Sequence, residues 1–201
     1  MSSVSSVVES QSSMTSEADR TLLLRLAREA IAAHVSGGRS PEPAADVPAG
    51  VLARPAGAFV TIHKHGDLRG CIGHIEANEP LGTVIPRCAV AACSGDPRFP
   101  AVSEAELPHL DVEVSLLGPL EPITGPDDFE TGRHGLVVEM GWRRGLLLPQ
   151  VAAEWNWNRE TFLAQACHKA GLPRDAWKQG AKVWKFVAEV FGEKTLHHGG
   201  H

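Results

Sequence analysis

One cysteine in this chain is placed where it could do chemistry. Cys71 sits in the run Leu68-Arg69-Gly70-Cys71-Ile72-Gly73, with glycines around it and Arg69 just upstream. The thiolate is the reactive form of cysteine, and a neighbouring guanidinium favours it. Glycine lets a backbone approach another group closely or adopt angles closed to other residues, at about 0.5–1 kcal/mol in a strand relative to alanine. A segment that needed only to be a strand would use valine or isoleucine there. Two readings follow. In one, Gly70 and Gly73 leave room for a substrate carbonyl or phosphate, with the backbone amides of residues 70–73 as oxyanion donors. In the other, Cys71 is a small buried hydrophobe and the glycines permit tight packing.

A nucleophilic thiol needs a base at neutral pH. His63 qualifies if residues 58–63 and 68–75 form a hairpin with a loop at His65-Gly66-Asp67. That register faces Leu68 and Ile72 to the same apolar side as Val60 and Ile62, and sets Thr61 and His63 beside Arg69 and Cys71. His74 then points away from Cys71 unless Gly73 forms a bulge. Glu113, on the polar side of the alternating Val112, Val114 and Leu116, reads as a general base, an arginine partner or part of a solvated face.

Asp96-Pro97-Arg98-Phe99-Pro100 is a constrained loop. It either holds the Arg98 guanidinium ready for a carboxylate or phosphate or ties Arg98 to a nearby carboxylate that pins the loop. His134, before Gly135, lines a site or occupies an ordinary turn. His63 and His65 are a possible metal pair, but no third ligand follows at a recognisable spacing. Cys88, Cys93, Cys167 and His168 lack zinc-finger spacing and read as helix packing, so no metal is expected. Trp155-Asn156-Trp157 lacks basic interleaving and is expected to pack beneath an adjacent loop. Arg143 and Arg144 read as a solvated hairpin tip. The chain has no phosphate-cradling glycine loop, no Gly-x-Ser-x-Gly elbow and no His-Glu-x-x-His pair.

The elements that must position these groups are legible as a pattern. Residues 1–15 are Ser-rich without a period and read as disordered. Ser16 caps a helix that carries Leu22, Leu23, Leu26, Ala30 and Ile31 inward and ends at Gly37-Gly38. Residues 39–50 form a Pro-rich loop. After Pro80 a second helix is expected, with Pro86 forcing a late start or a kink. Ser103 and Glu106 match a capping box. Residues 135–140 and 145–148 make a hairpin across 141–144, Asn158 caps a helix through Lys169, and residues 183–191 form a closing strand. Hairpins outnumber alternating strand–helix units, so the fold class is α+β, a mostly antiparallel sheet flanked by helices. Residues 16–192 read as a single domain and residues 193–201 as a flexible tail.

At 201 residues the chain has ample length for a core, and its formal net charge of −5 argues against nucleic acid as a partner. No apolar run reaches the roughly 20 residues of a membrane span, and no secretory signal is visible. A cytoplasmic setting with reduced thiols is the simplest expectation.

Taken in order, several segments resemble the AMMECR domain family. They are Gly57-Ala58-Phe59-Val60-Thr61, residues 68–73, residues 96–100 and Glu113-Val114-Ser115-Leu116-Leu117. His134-Gly135-Leu136, Gly145-Leu146-Leu147-Leu148-Pro149 with Val151, and Lys169-Ala170-Gly171-Leu172-Pro173 continue the match. Together they run from about residue 22 to 191, leaving the Ser-rich start and His-rich end outside the pattern. The resemblance implies a larger and a smaller subdomain, with residues 68–73 beside a cleft between them. It also implies association with Memo-like proteins, which resemble extradiol dioxygenases, and with radical-SAM proteins. It names neither a cofactor nor a reaction. The sites expected are Cys71, His63 and Glu113 for catalysis, and Arg69, Gly70, Gly73, His74, Asp96, Arg98 and His134 for substrate.

Overall fold

The computed structural model describes residues 15–39 and 50–196. The expectations for residues 1–14, 40–49 and 197–201 lie outside the described residues. Seven strands make one antiparallel sheet: β1 (Ala58–Lys64), β2 (Asp67–His74), β3 (Leu110–Leu117), β4 (Glu121–Ile123), β5 (His134–Met140), β6 (Arg143–Leu147) and β7 (Lys182–Gly192). The order is β2-β1-β3-β7-β5-β6, with β4 beside β7. The helices are α1 (Glu17–Val35), α2 (Leu81–Ser94), α3 (Pro149–Glu154), α4 (Arg159–Lys169) and α5 (Glu193–Leu196).

Local rules explain the main boundaries. Ser16 Oγ accepts the Asp19 N–H at 3.1 Å, and Asn158 Oδ1 accepts the Thr161 N–H at 2.8 Å, capping α1 and α4. α2 does not start late: it begins at Leu81 and carries Pro86 inside. The carbonyl that loses its donor is that of Gly82, which has no Cβ to crowd the ring. Two other elements were not anticipated, β4 and α3, both too short to carry a period. The start and end also differ. Thr15 is buried, its N–H 3.2 Å from Glu189 Oε1. Glu193, expected in a loose tail, opens α5 and accepts from Arg28 Nε at 2.9 Å and Val112 N at 2.9 Å.

Alternation along β1 and β3 creates two faces. Val60, Ile62, Val112 and Val114 point into a core with Leu23, Ile31, Ile85 and Ala89 of α1 and α2. A second core joins Leu136 and Val138 of β5 to Phe162, Leu163 and Ala166 of α4. The sheet curls between them. Phe59 and Ala188, on the side turned from α1 and α2, pack with Val137, Leu146 and Phe186 in a third, smaller cluster. The concave side above that cluster is a cleft. No described helix is long and apolar enough to cross a membrane.

Candidate functional site

The cleft holds about 720 Å³. One wall is the outer face of β1, β2 and β3, from which Phe59, Thr61, His63, Cys71 and Glu113 project. The facing wall is residues 146–151 with Glu154, Lys169 and Arg133. Three strands set the central row: Thr61 lies opposite Cys71 of β2 on one side and Glu113 of β3 on the other. Cys71 Sγ is 3.2 Å from Thr61 Oγ1. The other cysteines, Cys88, Cys93 and Cys167, are buried.

The hairpin register is the expected one through Ile62 and departs from it only towards the turn, where the departure re-sorts the side chains. Thr61 faces Cys71 and Ile62 faces Gly70, but His63 faces Leu68. Arg69 is the extra residue of a bulge. The turn is consequently the two-residue His65-Gly66, with φ of 53° and 89°. Positive φ at both positions matches the twist of the flanking strands. Leu68 is thereby moved onto the cleft side with His63 and Cys71. His65 leaves the strand, its ring 5.2 Å from that of His109, so the two imidazoles do not form a pair on one strand face.

Arg69 takes the other side. Its Nε donates to Glu106 Oε1 at 3.0 Å and its Nη1 to the Pro100 carbonyl at 2.8 Å. Only 12% of its side chain is exposed, and it does not line the cleft. Glu106 also accepts from Lys64 Nζ at 2.9 Å and from the Ser103 N–H at 2.9 Å, closing the anticipated capping box. These donors, Arg69 foremost, hold the Glu106 carboxyl well below the usual carboxylate range. A carboxyl depressed by folding binds its proton more readily in the unfolded chain, whose glutamates titrate near ~4.3. Its stabilisation is therefore present at neutral pH and lost as pH falls below about 5. Glu106→Gln should make acid unfolding, followed by circular dichroism, less steep between about pH 5 and 3. An unchanged pH profile would contradict this role.

The glycines of the motif sit where neighbours leave no room for a side chain. A Cβ on Gly70 would lie 2.1 Å from the Ala92 carbonyl oxygen of α2, and one on Gly73 would lie 2.3 Å from the Phe59 ring. The Cys71 amide, anticipated as an oxyanion donor, already donates to Asp96 Oδ2 at 3.0 Å. Asp96 is buried and also binds Arg98, through Oδ1 to the backbone N at 3.0 Å and Nε at 3.0 Å, and through Oδ2 to Nη2 at 2.7 Å. The loop is thus pinned by a carboxylate, the second of the two readings above. The Arg98 guanidinium beside it holds Asp96 far below the usual range. Arg98 itself remains 52% exposed and lines the cleft.

His74 and His134 lie elsewhere. β1 and β2 pair regularly through Phe59 and Gly73, so no bulge turns His74 inward, and its Nε2 is 2.9 Å from Asn78 Oδ1. His134 Nδ1 accepts the Glu130 N–H at 3.0 Å and borders a separate depression of about 490 Å³ with Lys185 and Arg159. Trp155 is 68% exposed and stacks on Trp157, centroids 6.1 Å apart, instead of packing beneath a loop. Arg144 is not part of a solvated tip: it lies in β6 and bonds Glu76 and Glu139.

Burial pushes the Cys71 thiol up from its ordinary value, opposed by the Thr61 hydrogen bond and the Arg98 charge. The expectation that a neighbouring arginine would favour the thiolate is therefore corrected: Arg69 is turned away, and desolvation outweighs Arg98. Burial likewise raises the Glu113 carboxyl, with His63 opposing and Glu154 adding to the rise. Among the described residues, no group of three His, Cys, Asp or Glu side chains is placed to hold a metal ion. Thr61 lies beside Cys71, as the hairpin reading expected. Arg133, Glu154 and Lys169 were not anticipated; they belong to segments that only the curl of the sheet brings near.

Comparison with known proteins adds the lineage. The AMMECR1 family model matches residues 24–191. A protein of Methanothermobacter thermautotrophicus is 46% identical over 178 residues, covering 85% of this chain and 92% of that protein. One from Thermococcus gammatolerans is 47% identical over 183 residues, covering 86% and 89% respectively. The crystal structure of the uncharacterized protein PH0010 from Pyrococcus horikoshii superposes with a TM-score of 0.81 at 44% identity, covering 87% of this chain and 91% of that one.

Proposed function

The chain belongs to the AMMECR1 family, and from that premise we propose that it is a cysteine-dependent enzyme acting on a small molecule or a modified residue in the cleft. The observation that carries this reading is the position of Cys71, the cysteine that is not buried and that opens on the cleft. Its thiol starts protonated, so a nucleophilic role requires a base to take the proton as the sulfur attacks. His63 and Glu113 line the same cleft, and a carboxyl lifted above its ordinary range is better matched to proton transfer near neutral pH. Arg98, braced by Asp96, is the anion clamp. Arg69, Gly70 and Gly73 support this wall from behind, and His74 and His134 take no part.

A cytoplasmic setting and association with a Memo-like and a radical-SAM protein belong to the same proposal. One observation supports a second reading, a docking module that grips a segment of a Memo-like partner. Leu68 and Val190 leave 40% and 44% of their surfaces exposed along the cleft.

Alkylation with iodoacetamide under native conditions, mapped by mass spectrometry, tests the thiol. Cys71 should be modified before Cys88, Cys93 and Cys167. Because its thiol is raised, the rate should still be climbing above the ordinary cysteine range of about pH 8.5. An inert Cys71, together with full complementation of a deletion strain by Cys71→Ser, would exclude catalysis there. Retention of a Memo-like partner by Cys71→Ser would then favour docking.

A further inference from the structure

We propose that the cleft takes an extended zwitterion of about tripeptide length, its cationic end on Glu113, its anionic end on Arg98, and its middle over Thr61 and Cys71. The inference rests on reading this cleft as the working site, but not on the chemistry of the thiol.

The two ends are argued from what each side chain lacks. Asp96 engages Nε and Nη2 of Arg98, which leaves Nη1 without a partner among the described residues while half the side chain faces outward. A guanidinium oriented from behind by a carboxylate is preorganised for a planar anion in front. Glu113 is the opposite case. It is half-buried on the cleft wall, and no hydrogen bond or ion pair reaches its carboxyl among the described residues. Glu154, across the cleft, adds negative potential at the same place, and His63 is the neighbouring titratable group. A half-buried carboxylate facing an open cleft is stabilised by a cation that enters beside it. Lys169 and Arg133 stand on the facing wall, and Arg133 already has Glu130 at 3.6 Å.

The strand row between the ends sets the scale of the ligand. Cys71, Thr61 and Glu113 lie on neighbouring strands β2, β1 and β3, so Cys71 and Glu113 are two strand spacings apart, about 10 Å. Arg98 lies on the far side of Cys71, at the open edge of β2. A free α-amino acid, whose charges are separated by one carbon, is much shorter than this row. At ~3.3–3.6 Å per residue a tripeptide matches it. Phe59, Leu146, Leu148 and Val151 supply apolar surface for its side chains. A cleft of about 720 Å³ is in the size range of small-ligand sites.

The test is calorimetric titration of the full chain with trialanine, N-acetyl-trialanine, trialanine amide and alanine. Trialanine should bind saturably, and each cap should weaken it by about tenfold, a change of ~1.4 kcal/mol. In Glu113→Gln the acetyl cap should cease to matter. In Arg98→Lys, which keeps a charge against Asp96, the amide cap should matter less. Equal binding of free and capped peptides, equal binding of alanine, or no saturable binding would overturn the proposal. Gly125→Ala, which adds a methyl outside the cleft with nothing within 4 Å, should bind trialanine like the parent chain. Peptide binding with an inert Cys71 removes the thiol reading alone; a reactive Cys71 with no peptide binding removes this one alone.

Discussion

Gly70→Ala is expected to lower the melting temperature by roughly 6–12 °C, because overpacking costs up to about 3 kcal/mol and a domain of this size loses ~2–4 °C per kcal/mol. The upper end is expected because the obstacle is backbone. The added methyl would sit 2.1 Å from the Ala92 carbonyl oxygen, so α2 must move off β2. That shift would open the core of Val60, Ile62, Ile85 and Ala89. Gly125→Ala is the matched control: its backbone is extended, with φ −172°, and a Cβ there meets nothing within 4 Å. Calorimetric melting of both variants decides the matter. An unchanged melting temperature for Gly70→Ala would mean that strand and helix are not in the contact described.

Asp96→Ala should cost about 3 kcal/mol, since it strands the Cys71 amide at the strand edge and removes the charged acceptor of Arg98. Arg98 is half exposed and can return to water, which keeps the loss below that of a fully buried pair. The same substitution should speed alkylation of Cys71 at a given pH. Asp96 raises the thiol and Arg98 lowers it, so deleting the carboxylate leaves the cation unopposed. Arg98→Ala should slow alkylation by the converse argument. Denaturant unfolding and the pH dependence of alkylation check the two halves separately. Slower alkylation in Asp96→Ala would overturn the electrostatic assignment.

Much of the architecture was readable from local pattern. The Ser16 and Asn158 caps, the alternation of Val112, Val114 and Leu116 and the hairpin preference are short-range signals, and they led to an antiparallel α+β fold flanked by helices. The site was readable in part. Cys71, His63, Glu113 and Arg98 do line one cleft, whereas Arg69, His74 and His134 do not. A single bulge explains the fate of Arg69. Either loop length satisfies the apolar pairing of Val60 and Ile72, and only the twist preference of the turn separates them.

By itself the sequence determined the longer elements, their caps, the identity of the half-open cysteine's neighbours along the chain, and the family. These follow from periods of two and about 3.6 and from residue types, all of which act within a few positions. Tertiary structure alone decided which glycine hydrogens face a helix carbonyl, which carboxylate holds which guanidinium, and whether the thiol is acidic or not. Each of these depends on a contact between residues distant in sequence and on the desolvation that accompanies it. Desolvation at Cys71 outweighs the nearby positive charge because partial burial acts on the thiol itself, while Arg98 faces solvent and is already shared with Asp96.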